Sequence, residues 1–159
     1  MSRVIRGGVA FAGGADPFSN SRGVAEGDFS IGSRTLDDQK WIVSYVMDNG
    51  PVRYYLYDRG FKKTKFLFTN NRRLEGLTLA KMNPTIIKSR DNLDLISYLT
   101  LPATEKTSGA TPRPSHPLPM VLLVHGGPWS RDAWGLNSSH QWLANRGYAV
   151  LSVNYRGST

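Results

Sequence analysis

The sequence predicts two structural units in series, an antiparallel β-meander followed by an α/β unit. Three observations carry this prediction. Between residues 40 and 69, three runs rich in aromatic and branched residues, WIVSYV, VRYYLY and TKFLF, alternate with polar turns. Residues 120–124, MVLLV, are continuously apolar without alternation, the pattern of a parallel-sheet strand buried on both faces. A capped helical stretch and a second apolar run, YAVLSV at 148–153, follow it, which makes strand, helix, strand.

Taken in order, residues 1–33 are rich in Gly, Ser and Asp with little periodicity and read as loop. Residues 36–40 form a turn before the first strand of the meander, 41–46. Asp48-Asn49-Gly50-Pro51 is a strong turn signal, and strands follow at 52–57 and 64–68 around the GFKKTK turn. This rhythm is that of one β-propeller blade, and a three-stranded sheet of any all-β domain fits it equally. Residues 74–82, LEGLTLAKM, read as a connector with room for a short helix. Strands at 84–88 and 93–101 around Arg90-Asp91-Asn92 read as an antiparallel hairpin. Five prolines between residues 102 and 119 mark a surface connection inside a domain. Residues 137–146, NSSHQWLANR, read as a helix capped by Asn137 or Ser138, with Trp142 and Leu143 facing the sheet and Gly147 ending it.

Composition removes several functional classes. The chain of 159 residues has no cysteine, which excludes disulfides and thiolate metal sites. Its three histidines, His116, His125 and His140, lack ligand spacing, so neither a metal nor a cofactor is expected. No apolar run approaches the roughly 20 residues of a membrane-spanning helix, and the first residues do not read as a signal peptide. A cytoplasmic location without a membrane partner is therefore expected. The net charge is +8, and between residues 53 and 73 seven basic residues face one acid, 7 − 1 = +6. This cluster reads as a solvated turn rather than a nucleic-acid surface. The sequence carries no signal of oligomeric state.

The chemistry concentrates at the end of the apolar run, in VLLVHGGPW. Gly126 and Gly127 have no side chains to screen their backbone N–H groups, which can point at a negative oxygen. A loop placed there can supply half of an oxyanion hole. The alternative is a tight turn in which the glycines are steric only. Pro128 restricts the turn and Trp129 offers an apolar wall. His125 reads as a brace for the loop rather than a general base. Arg131, Asp132 and Arg156 read as ion-pairing residues, with a substrate carboxylate as the alternative partner for an arginine. In an open α/β sheet, ligands bind beyond the carboxyl ends of the strands, where HGGPW and Asn154-Tyr155-Arg156-Gly157 both lie.

The segments PMVLLVHGGPWSRDAW and HQWLANRGYAVLSVNYRGST closely resemble the prolyl oligopeptidase (S9) family of serine peptidases, in particular its acylaminoacyl-peptidase-like and dipeptidyl-peptidase-like members. YYLYD at 54–58 is similar to part of the last propeller blade. The resemblance implies a β-propeller remnant of about one blade over residues 1–82. It implies the N-terminal part of an α/β-hydrolase domain over residues 83–159. It further implies that the Gly127 N–H is one oxyanion donor, that His125, Gly126, Pro128, Trp129 and Arg156 support the loop, and that short peptides are the substrates.

The family's nucleophile elbow, G-x-S-x-G, does not occur in the sequence. Ser130, Ser138, Ser139, Ser152 and Ser158 all lack that setting. The expected triad therefore lies outside these 159 residues, which read as an internal piece of a larger enzyme without peptidase activity of its own. An open sheet edge at the last strand is expected to favour aggregation. An esterase of the α/β-hydrolase type and a non-catalytic, propeller-type interaction module are the alternatives.

Overall fold

The computed structural model describes residues 27–105, 113–127 and 129–159. Pro128 and the loop reading of residues 1–26 lie outside the described residues. The chain divides into two compact units, one ending at Leu77 and the other running from Thr78 to Thr159.

The first unit is a four-stranded antiparallel sheet in sequential order, β1 (Asp28–Arg34), β2 (Lys40–Val46), β3 (Arg53–Asp58) and β4 (Lys63–Thr69). β1 corrects the reading of residues up to 33 as loop. Its polar composition hides a strand that borrows its order from β2, with Phe29 opposite Tyr45 and Ile31 opposite Val43. Period-two alternation puts Val43, Tyr45, Tyr55 and Tyr57 on one face, where they form the core with Met47 and are flanked by Phe29 and Trp41. The other face stacks Tyr54 on Phe68, with ring centroids 4.8 Å apart. The pairing of β3 with β4 shifts between Tyr54 and Tyr55, which leaves Leu67 without an opposite residue. The connector after β4 holds a single 3₁₀ turn at Arg72–Leu74, earlier than the expected position, capped by the Asn71 side chain on the Arg73 N–H.

The second unit is a mixed sheet ordered β5 (Met82–Lys88), β6 (Asp94–Thr100), β8 (Ala149–Val153), β7 (Met120–Leu123). β5, β6 and β8 pair antiparallel, whereas β7 and β8 are parallel and joined by α1 (Ser138–Ala144). The cap is Asn137, whose side chain accepts from the Ser139 and His140 N–H groups. Gly147, at φ +86°, ends the helix in the left-handed region, where glycine carries no Cβ penalty.

Three expectations need correction here. β8 is interior, so among the described residues the edges of this sheet are β5 and β7, not the last strand. β7 is not buried on both faces: Met120 and Leu122, and Val124 just beyond it, are exposed, while Val121 and Leu123 on the other face are half-buried. Trp142 does not face the sheet. His140 and Ala144, one turn apart, are the buried stripe, and Trp142 lies outside it under the Arg146 guanidinium, 4.5 Å from the ring centroid.

Candidate functional site

Parallel pairing of β7 with β8 sets two loops side by side at the carboxyl ends of both strands. The first carries His125, Gly126, Gly127 and Trp129. The second carries Asn154, Tyr155, Arg156 and Ser158.

Several hydrogen bonds lock the loops together. The Asn154 side chain accepts from the Asp132 N–H at 2.8 Å and donates to the Asp132 carbonyl at 3.1 Å, a two-point amide match. The Thr159 N–H donates to the Ser130 carbonyl at 3.2 Å. The His125 ring stacks on Tyr155, with centroids 4.5 Å apart and planes 19° from parallel. Its Nδ1 lies 2.9 Å from the Gly126 carbonyl and its Nε2 lies 2.8 Å from Ser158 Oγ. A carbonyl only accepts, so Nδ1 donates to it, and Nε2 and the Ser158 hydroxyl share the second hydrogen bond. The Tyr155 hydroxyl donates to the His125 carbonyl at 3.2 Å.

The two glycines are not equivalent. A Cβ on Gly127 would stand 3.1 Å from the Tyr155 hydroxyl, whereas one on Gly126 would meet no described atom within 4 Å. Trp129 is 84% exposed and contacts none of these groups through a hydrogen bond or ring stack among the described residues. Arg156 pairs with Asp91 in the β5–β6 turn. Asp91 is held below the usual carboxylate range, first by the Ser89 hydroxyl and to a lesser degree by Arg156.

His140 forms a separate polar centre beneath the sheet. It is fully buried between the Thr100 hydroxyl, 2.8 Å from Nδ1, and the Ser152 hydroxyl, 2.9 Å from Nε2. Burial pushes its pKa below the ordinary imidazole value, against a smaller opposing pull from Asp132. A cavity of about 280 Å³ beside the end of α1, among Thr78, Thr104, Gln141 and Asn145, shares no residue with the two loops. Among the described residues no group of His, Asp and Glu could hold a metal ion, and no helix is long and apolar enough to cross a membrane.

No protein-family model matches the chain. It is 51% identical over 136 residues to dipeptidyl aminopeptidase BIII of Pseudoxanthomonas mexicana, an alignment covering 86% of this chain and 20% of that protein. It is 36% identical over 146 residues to dipeptidyl peptidase family member 6 of Caenorhabditis elegans, covering 84% and 20%. Over most of its length the chain is homologous to dipeptidyl aminopeptidases of the prolyl oligopeptidase (S9) kind. Its backbone resembles that of the acylaminoacyl peptidase of Pyrococcus horikoshii with a TM-score of 0.59 at 24% identity, over 84% of this chain and 20% of that one. The chain thus spans about a fifth of the length of the curated relatives it matches. Of the site residues expected for such a peptidase, His125, Gly126 and Gly127 come together with the β8 loop. Sequence reasoning assigned no role to Tyr155, Ser158 or Asn154. The signal for them was their place at the carboxyl end of the next parallel strand.

Proposed function

We propose that the protein containing this chain is a serine-type peptidase that cleaves short peptides by acyl transfer, of the dipeptidyl-peptidase kind. The observation that carries this reading is the Gly126–Gly127 pair at the carboxyl end of a parallel strand, in a chain 51% identical to a dipeptidyl aminopeptidase. In this reading the first unit is a remnant of a propeller blade and the second is the start of an α/β-hydrolase domain. A serine outside these 159 residues attacks the scissile carbonyl and its proton passes to a histidine base. The carbonyl oxygen becomes an oxyanion, and the Gly127 N–H donates to it. Collapse of the tetrahedral species expels the amine, which takes the proton from the histidine. Water then hydrolyses the acyl-enzyme.

The test uses the full-length protein and the 159-residue chain side by side, each with a fluorophosphonate probe and with dipeptidyl p-nitroanilides. Stoichiometric labelling of one serine and amide cleavage are expected only in the full-length protein. Labelling of the isolated chain refutes the assignment of the nucleophile outside it. Cleavage of p-nitrophenyl esters without any amide cleavage favours an esterase instead.

A further inference from the structure

We propose that Tyr155 is a positioning residue for the backbone N–H groups of Gly126 and Gly127, an inference that rests on the oxyanion reading of this loop. Two consecutive peptide planes are each pinned through their carbonyl. The His125 carbonyl accepts from the Tyr155 hydroxyl at 3.2 Å, and the Gly126 carbonyl accepts from His125 Nδ1 at 2.9 Å. A peptide unit is planar and trans, so its N–H points opposite to its C=O. Holding the His125 carbonyl therefore fixes the direction of the Gly126 N–H, and holding the Gly126 carbonyl fixes that of Gly127. Tyr155 acts on both planes. Its hydroxyl binds the first directly, and its ring supports the imidazole that binds the second, 4.5 Å away between centroids.

The same arrangement explains the glycine at 127. A Cβ on Gly127 would stand 3.1 Å from the Tyr155 hydroxyl, which would have to give by a few tenths of an ångström and so stretch its bond to the His125 carbonyl. Donors aimed before the reaction need no reorganisation when charge develops, which is where an oxyanion site gains its effect. Tyr155 itself touches no reacting atom in this scheme.

The test is a double-mutant cycle in the full-length protein with Tyr155→Phe, which keeps the stacked ring and deletes the hydroxyl, and Gly127→Ala. Tyr155→Phe is expected to lower kcat about tenfold with KM changed less than about twofold, since freeing the His125–Gly126 peptide plane loosens the aim of the adjoining Gly127 donor without removing it. The pH profile should keep its shape, and the melting temperature should move little. Gly127→Ala should cost less kcat in the Tyr155→Phe background than in the parent, because its methyl then meets no hydroxyl. Strictly additive effects, or an unchanged kcat in Tyr155→Phe, overturn the proposal. Amide hydrogen exchange of Gly126 and Gly127 provides a readout independent of turnover. It should accelerate in Tyr155→Phe, and unchanged exchange overturns the positioning role. If the wild-type protein cleaves no amide or ester and takes no fluorophosphonate, the acyl-transfer reading fails, and exchange alone decides whether Tyr155 orders the loop.

Discussion

Neighbouring glycines in this loop answer to different constraints. Gly126 has open space at its Cβ position and Gly127 does not. Gly126→Ala is expected to leave stability unchanged or raise it by up to about 1 kcal/mol, through the reduced freedom of the unfolded chain. Gly127→Ala is expected to destabilise the second unit, and urea denaturation of both variants separates the two cases. His140 sets a pH dependence. Its folded pKa is depressed by burial, so the unfolded state binds the proton more readily. Stability is then complete above the ordinary imidazole value of about 6.5 and declines as pH falls below it. Denaturation midpoints between pH 8 and 5 should show this loss. His140→Gln, which keeps an amide near Thr100 and Ser152, should flatten the curve.

At the scale of the elements, α1 depends on its ends. Asn137 satisfies two N–H groups at the start of a seven-residue helix. Asn137→Ala should cost about 1 kcal/mol, measured as a shift in the denaturation midpoint of the second unit. The elements also mark what could be read from sequence. β2, β3, β6 and β8 were legible because their aromatic and branched residues alternate or run continuously and agree with their burial. The cap at Asn137 and the stop at Gly147 were legible as local chemistry. β1 was not, because DFSIGSR owes its strand conformation to pairing with β2. The outward Trp142 is not legible, because its hydrophobicity predicts burial, while the buried stripe carries His140, whose two ring nitrogens are satisfied by hydroxyls from β6 and β8. The site was legible in part. HGG announces itself in the sequence, but Tyr155 reaches it only through parallel pairing of strands thirty residues apart in the chain (His125 to Tyr155, 155 − 125).

At the scale of the whole molecule, β7 is an edge strand among the described residues, and Met120, Leu122 and Val124 along it are exposed. Such an edge with an apolar face is a template for association. The 159-residue chain is expected to associate with rising concentration in light scattering, and Leu122→Lys should suppress this. The same edge lies beside the candidate oxyanion loop, so a neighbouring strand would complete the sheet next to the site. The measurement that bears most directly on the central assignment is a crystal structure of the full-length protein carrying a tetrahedral phosphonate adduct on its nucleophile. The expected result is a phosphonyl oxygen about 2.7–3.1 Å from the Gly127 nitrogen, with the Tyr155 hydroxyl still on the His125 carbonyl. An adduct whose oxygens are all bound by other donors, with the Gly127 N–H directed elsewhere, would contradict it.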